Sequence, residues 1–183
     1  MNLKLMTATA LVALTLAGGA FAMTDPMVGG AAMYDSKTIV DNAVNSKDHT
    51  TLVAAVKAAG LVDTLQSPGP FTVFAPTNAA FAALPPGTVD TLLKPENKAQ
   101  LTQVLTYHVV PGRLDSQMLD QQIKAGGGEA MLKTVEGDTL TIRGSGRHLT
   151  VTDEKGDTAR VTIPNVYQSN GVILVVNKVL MPG

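Results

Sequence analysis

Two apolar segments that lie far apart in the sequence constrain this chain most. The first, Gly69 to Phe81, alternates as a short strand does and then places the hydroxyl of Thr77 where it can cap a helical turn that begins at Asn78. The second, Asn170 to Pro182, is continuously apolar over its first half, which is typical of a strand covered on both faces. Both segments need burial, so they predict a single core that is built from distant parts of the chain.

The N-terminus has the order of a secretory signal peptide. A lone cation, Lys4, precedes an apolar stretch from Met6 to Leu16, and small residues follow up to Ala22. We assign residues 1–22 to this signal peptide and expect cleavage after Ala22. The apolar stretch is too short to span a bilayer, where about 20 apolar residues are needed. The sequence contains no cysteine, which excludes disulfides and a lipidated cysteine. We therefore expect export to the periplasm or the medium without a transmembrane anchor.

The charge of the mature chain argues against nucleic acid as a partner. Loss of Lys4 with the signal peptide leaves 13 basic against 15 acidic residues, a net charge of −2. The sequence has no run of basic residues and only 4% aromatic residues, so it lacks the positive surface that binds a phosphate backbone. Residues 23–34 are rich in Gly, Ala and Met without a period, and we interpret them as a flexible N-terminal tail.

Apolar periodicity divides the remaining chain into a helical first half and a hairpin second half. Helical spacing covers 39–44, 52–59, 61–65, 89–93, 101–108 and 118–123. Candidate helix-starting residues are Thr88, Pro95 and Asp115. After the glycines at 126–128, a period of two over 132–135, 140–142, 149–151 and 161–163, with turn residues between, predicts a β-meander. Helices and strands segregated in this way indicate an α+β domain.

Three blocks of the sequence resemble the fasciclin I (FAS1) domain family. They are Gly69 to Phe81, Leu105 to Gly112 and Asn170 to Pro182, and they stand in family order within residues 35–183, which we assign to one FAS1 domain. The resemblance is to the bacterial, secreted, single-domain type. It implies a β-wedge or sandwich of about seven strands with several short helices packed on one side. It also implies an extracytoplasmic adhesion or surface-interaction module without catalytic activity.

The last block departs from the family pattern at two positions. Many relatives have a histidine and an aspartate where this chain has Leu174 and Asn177. A role that rests on that imidazole or carboxylate therefore does not carry over to these positions.

Tyr107 and His108 form the most conspicuous polar pair, because a phenol and an imidazole at a helix-to-strand junction could transfer a proton or contact a partner. His108 shares a helical face with Leu101, Val104 and Leu105, so we expect a largely buried histidine whose ring nitrogens bond backbone groups. In the family this pair is discussed both as a packing element and as part of an adhesive surface.

Other candidate binding residues are Asn78 and the tripeptide Lys155, Gly156 and Asp157. The tripeptide resembles a sequence that some integrins recognise, and turn chemistry predicts it at the exposed tip of a hairpin. Asn78 is equally explained by helix capping. The acidic residues around the tripeptide lack the spacing of a calcium loop, and the three histidines lie on separate predicted elements. We therefore assign no metal, cofactor or catalytic residue.

Two functions from different classes remain. The first is a non-enzymatic adhesion module whose partner is a cell-surface or matrix protein or glycan, with the chain a monomer or weakly self-associating. The second is a periplasmic carrier or sensor of a small apolar ligand held between helices and sheet. A hydrolase is disfavoured because Ser145, in a glycine-flanked turn, is not on the strand-to-helix elbow of a nucleophile.

Overall fold

The computed structural model describes residues 25–183, so the predicted signal peptide lies outside the described residues. The helices are α1 Ile39–Ala43, α2 Thr50–Ala59, α3 Val62–Gln66, α4 Asn78–Ala82, α5 Thr88–Leu92, α6 Lys98–Tyr107 and α7 Ser116–Ala125. The strands are β1 Met27–Val28, β2 Ala31–Ala32, β3 Phe71–Pro76, β4 Val109–Pro111, β5 Glu129–Lys133, β6 Thr139–Ser145, β7 His148–Thr152, β8 Thr158–Gln168 and β9 Gly171–Val176. Short 3-10 turns, Lys47–His49 and Pro95–Asn97, precede α2 and α6.

The main sheet has seven strands in the order β4-β3-β9-β8-β7-β6-β5. Strands β5 to β8 form the predicted antiparallel meander. Strand β9 lies between β8 and β3 and runs parallel to β3, with Phe71 opposite Gly171 and Pro76 opposite Val176. The two signature segments are therefore direct neighbours in the sheet. This confirms the α+β fold and the burial of the two segments together, but the buried side chains form two clusters on opposite faces of the sheet rather than the single core that was predicted.

Both faces of the β3/β9 pair are buried because consecutive side chains point to opposite sides of a strand. Val73 and Val175 pack with α1 to α6 in one apolar cluster. Phe74 and Leu174 point the other way, into a second cluster formed with α7 and the meander. All six residues of β9 are buried, which confirms the strand covered on both faces.

The sheet curls until its two end strands nearly meet. The Val135 amide, just after β5, donates to the Val109 carbonyl at the start of β4 over 2.8 Å. Helix α7 packs against β5 and β6 on the side of the second cluster, with Leu119 and Ile123 buried. The architecture is a β-wedge whose other face carries α1 to α6. Within residues 25–183, no helix is long and apolar enough to cross a membrane.

The N-terminal segment differs from the irregular tail that the sequence predicts. Strands β1 and β2 pair as a small antiparallel hairpin, and Val28 and Met33 are 4% and 2% exposed. The hairpin is held where the Lys47 amide donates to the Gly29 carbonyl. Val28 and Met33 both belong to the first core cluster. The Gly- and Ala-rich composition of the segment gave no sign that these two side chains are buried.

Predicted helix starts agree with the structure at two positions and differ at two. Thr77 and Asp115 accept from the amides of Ala80 and Met118, as expected of capping residues. Thr88 was predicted to cap α5, but it is the first helical residue, and the preceding Gly87 occupies the cap with φ 83°. Pro95 begins a 3-10 turn rather than α6 itself.

Candidate functional site

The end of α6 delivers Tyr107 into the core. Its side chain is fully buried, and its hydroxyl donates to the Thr139 carbonyl and accepts from the Glu154 amide, each over 3.1 Å. Burial raises the pKa of Tyr107 to about 12, and the nearby carboxylate of Asp153 acts in the same direction. The phenol therefore stays neutral and joins the start of β6 to the loop after β7.

His108 follows directly and is 2% exposed. Its Nδ1 lies 2.8 Å from the Val104 carbonyl, and its Nε2 accepts from the Leu180 amide over 3.0 Å. Because a carbonyl can only accept and an amide can only donate, this geometry fixes the neutral tautomer with hydrogen on Nδ1. Burial lowers the pKa of His108 to about 4. The prediction of a buried histidine bonded to backbone groups is confirmed.

Asp153 continues this internal network toward the surface. Its Oδ1 accepts from the amides of Lys155 and Asp157 at 3.1 and 2.8 Å, and its Oδ2 accepts from the Met181 amide at 3.0 Å. The same buried carboxylate thus shapes the β7–β8 turn and fixes the C-terminal segment. The β7–β8 turn is therefore supported from inside the domain by hydrogen bonds to the side chains of Asp153 and Tyr107, and His108 lies next to them.

The predicted tripeptide occupies the tip of that turn. Lys155, Gly156 and Asp157 are all exposed, and Gly156 has φ 85°, a left-handed conformation that favours glycine. Within residues 25–183, the side chains of Lys155 and Asp157 make no hydrogen bond or ion pair, since only their backbone groups are engaged. The predicted hairpin tip is confirmed, and it presents one cation and one anion on a supported backbone.

Asn78 lies apart from this network, and its side chain joins two helices. Its Oδ1 accepts from the Thr51 amide over 3.0 Å, and its Nδ2 donates to the Lys47 carbonyl over 2.8 Å. These bonds tie the start of α4 to the start of α2. Of the six candidate residues, the structure therefore brings Tyr107 and His108 beneath the tip, and it leaves Asn78 on another part of the domain.

Asn170 is a structural residue that the sequence reasoning missed. It is 4% exposed, its Oδ1 accepts from the Ile39 amide, and its Nδ2 donates to the carbonyls of Leu65 and Ser67. One side chain thereby joins the start of β9 to two helices. An Asn-Gly pair before an apolar strand normally indicates only a turn, so no local signal identified this role.

A small cavity separates the helices from the sheet. It measures about 40 Å³ and is apolar, with Val40, Val56, Leu65, Val73 and Leu105 among its lining residues. Ligand pockets for drug-sized molecules measure about 300 Å³ or more. The cavity in this conformation therefore holds no more than a very small molecule.

A larger open groove lies near the N-terminal hairpin. It measures about 570 Å³, and Asp35, Arg113 and Tyr167 are among its lining residues. Arg113 donates to the Gln168 carbonyl over 2.8 Å, and the Tyr167 hydroxyl donates to Asp115. Among residues 25–183, no group of three or more His, Asp or Glu side chains converges as a metal site would require.

Comparison with known proteins agrees with this architecture. Residues 47–182 match the Fasciclin domain family. The chain belongs to the fasciclin domain family. The chain is 45% identical to Protein sll1483 of Synechocystis over 158 residues, an alignment that covers 85% of this chain and 79% of that protein. It is 37% identical over 145 residues to the immunogenic protein MPB70 of Mycobacterium bovis, covering 76% of this chain and 66% of that one.

Two further FAS1 relatives extend the comparison to animals. The transforming growth factor-beta-induced protein ig-h3 of Sus scrofa is 36% identical over 147 residues, which cover 79% of this chain but only 19% of that protein. Among solved structures, a FAS1 domain pair from the insect cell adhesion molecule fasciclin I has a TM-score of 0.70 and 18% identity. The similarity covers 79% of this chain and 51% of that one, and it supports the fold alone.

Leu174 and Asn177, the two positions at which the sequence was expected to depart from the FAS1 pattern, both have structural roles. Leu174 is fully buried in the second cluster, where an apolar side chain needs no hydrogen-bond partner. Asn177 keeps a polar role, since its Oδ1 accepts from the Arg160 amide over 2.7 Å and its own amide donates to the Arg160 carbonyl.

Proposed function

We propose that this FAS1 domain is a non-enzymatic adhesion module that acts outside the cytoplasm through a rigid surface. The observation that carries the proposal is that the site contains two kinds of side chain, some bonded internally and others exposed. Tyr107, His108 and Asp153 spend their polar atoms on internal bonds, whereas Lys155 and Asp157 above them point outward. A tip held from beneath is pre-organised, so contact with a partner orders few additional side chains.

Printed names of relatives support the same class of function. The insect relative is called a cell adhesion molecule, and MPB83 of Mycobacterium bovis, 33% identical over 159 residues, is called a cell surface glycolipoprotein. Together with the predicted signal peptide, these names favour a secreted or periplasmic location for this chain. The partner class that we propose is a cell-surface or matrix protein or glycan.

The absence of enzymatic activity is part of this proposal. Acid–base chemistry needs a titratable group within reach of a substrate, with its pKa near the working pH. Tyr107 and His108 have pKa values of about 12 and about 4, and both are sealed in the core. Neither is poised for proton transfer near neutral pH.

The adhesive proposal is tested by capture from the native envelope. The mature chain is immobilised, an envelope fraction is passed over it, and the bound proteins and glycans are identified by mass spectrometry. We expect reproducible enrichment of a surface component and its loss with the double variant Lys155→Ala/Asp157→Ala. The matched control is Asp90→Ala/Lys94→Ala, which removes the same two charges from exposed positions around α5.

Three outcomes would contradict parts of this proposal. Failure of the wild-type chain to enrich any component contradicts the adhesive role. Equal capture by the tip variant and the wild type removes the tip from the binding surface. Equal loss with the α5 control shows that capture depends on general charge rather than on the tip.

The apolar cavity supports carriage of a small apolar ligand as a second candidate function. A ligand larger than the cavity would require α1 and α2 to move away from the sheet, since both contribute to the lining. Native mass spectrometry of the chain purified without denaturation tests this. A mass increment that disappears after unfolding and refolding supports the carrier, and the bare mass of the polypeptide contradicts it.

A further inference from the structure

The two ends of the main sheet are protected unequally. Strand β4 at one end spans only Val109–Pro111, and its proline has no amide to offer an incoming strand. Strand β5 at the other end spans Glu129–Lys133, contains no proline and pairs with β6 in unbroken register. It is therefore the edge of this sheet that is better able to accept another strand.

Hydrogen bonding shows which backbone groups of β5 face outward. The Thr134 amide donates to the Asp138 carbonyl over 2.9 Å at the end of the β5–β6 ladder. In an antiparallel pair, the residues that bond the neighbouring strand alternate with residues whose amide and carbonyl point away from it. Counting back from Thr134, the backbone groups of Glu129, Met131 and Lys133 point to the open edge.

One contact limits this open edge. The next outward amide, that of Val135, is already bonded to Val109 where the sheet nearly closes. Toward the start of β5, the Glu129 carbonyl lies against Gly126, which follows α7. Beside it, Gln122, Glu129 and Met131 are among the residues lining an open groove of about 330 Å³ between α7 and the strand. The available edge therefore runs from the Glu129 amide to Lys133.

The side chains of this edge are complementary to themselves. Met131 is 70% exposed, the highest value among the exposed large apolar residues of the described chain. An anion, Glu129, lies two residues before it, and a cation, Lys133, lies two residues after it. If two copies of β5 align antiparallel about Met131, each Glu129 faces Lys133 of the second copy, and the two methionines face each other.

We propose that β5 is a self-association edge at which a second copy of this chain adds its own β5 across a two-fold axis at Met131. The outward groups of the strands, without the covered Glu129 carbonyls, exchange about four backbone hydrogen bonds, and the two sheets become continuous. Glu129 already pairs with Arg143 on β6, so the joined surface carries alternating positive and negative charges across the strands. A two-fold contact of this kind uses the same patch on both copies and closes at the dimer.

The short edge makes the contact weak. Five residues per copy bury far less than the area of about 1,200 Å² that a stable interface needs, so we expect a dissociation constant in the micromolar to millimolar range. Many copies displayed on opposed surfaces would still adhere through multivalency. That use in adhesion rests on the proposed function, whereas the dimer itself is measured in solution without it.

Sedimentation equilibrium of the mature chain, at concentrations up to about 1 mM, tests the dimer. We expect a reversible dimer that Met131→Lys weakens at least about tenfold, because two lysines then meet on the axis. The matched control is Met27→Lys on β1, a methionine that is 59% exposed, and it should leave the dissociation constant unchanged. A chain that is monomeric over the whole range, or a control that weakens the dimer equally, overturns the proposal.

A charge-exchange experiment tests the register. Lys133→Glu places like charges opposite each other at both ends of the contact, and so does Glu129→Lys, so each variant alone should be at least about tenfold weaker than the wild type. In an equimolar mixture, every charge of one variant faces an opposite charge of the other, and the dimer should return. Thermal melting by circular dichroism confirms that each variant is folded. Failure of the mixture to associate overturns the proposed alignment, and capture from the envelope by the tip is unaffected by that result.

Discussion

Replacing His108 with glutamine removes one titration that makes this fold sensitive to acid. In the folded chain, burial keeps the ring neutral and holds its pKa near 4, against an ordinary value of 6.5. Above pH 6.5, neither the folded nor the unfolded state binds the proton. Between pH 6.5 and about 4, His108 binds a proton in the unfolded state but not in the folded state. The free energy of unfolding therefore falls as the pH falls.

The magnitude follows from the gap between the two pKa values. At about 1.36 kcal/mol per pH unit, the gap corresponds to a loss of about 3 kcal/mol by pH 4. The Asp153 carboxylate offsets part of the effect of burial and is included in the folded value. Near pH 7, His108→Gln should cost about 2 kcal/mol, because both ring hydrogen bonds are lost or distorted. The wild type's advantage over the variant should therefore shrink by about 3 kcal/mol on acidification.

The assay is urea unfolding of both proteins at several pH values between about 7 and 4. The difference in free energy between them isolates His108, because the buried His49, whose pKa is also lowered by burial, is present in both. His148→Gln, at an exposed position of β7, serves as the control for the substitution itself and should change the free energy of unfolding at neutral pH by less than about 0.5 kcal/mol. A difference between wild type and His108→Gln that stays constant from neutral pH to pH 4 would refute this account of the ring.

Three further predictions concern stability and are measured by urea unfolding at neutral pH. Asn170→Ala should lower the free energy of unfolding by about 3 kcal/mol, because it leaves buried backbone groups of two helices without hydrogen-bond partners. Gly171→Ala should cost at least about 2 kcal/mol, since a Cβ there overlaps the Phe71 carbonyl of the paired strand; a melting curve equal to the wild type's would contradict the close approach. Tyr107→Phe should cost about 1–2 kcal/mol, whereas Tyr167→Phe, on a side chain that is 40% exposed, should change stability by less than about 0.5 kcal/mol.

Local patterns in the sequence predicted the helices and strands better than they predicted which strands pair. Period-two alternation identified β5 to β8, and capping chemistry identified Thr77 and Asp115, because both signals depend on residues a few positions apart. The parallel pairing of β3 with β9 was not predicted. It depends on two buried strands whose apolar side chains carry no information about register or direction, so only the complete core determines it.

The same limit applies to the candidate site. Burial of His108 could be predicted from its helical neighbours, but its bond to the Leu180 amide could not, because a polar atom gives no local sign of a distant partner. Asp153 was counted among turn carboxylates, although its second oxygen holds the C-terminal segment. Val28 and Met33 were assigned to a tail because two apolar residues among glycines and alanines establish no period.

These contacts separate the side chains that stabilise this domain from those that it exposes. The side-chain polar atoms of Tyr107 and His108 are bonded inside the molecule, so changing them alters stability before it alters any surface. Leu174, which is fully buried, likewise serves the core. The binding surfaces that we propose use exposed side chains instead, such as Lys155 at the tip and Met131 on the open edge. Exchange of such residues can redirect binding at little cost to folding, because exposed positions away from the core tolerate substitution.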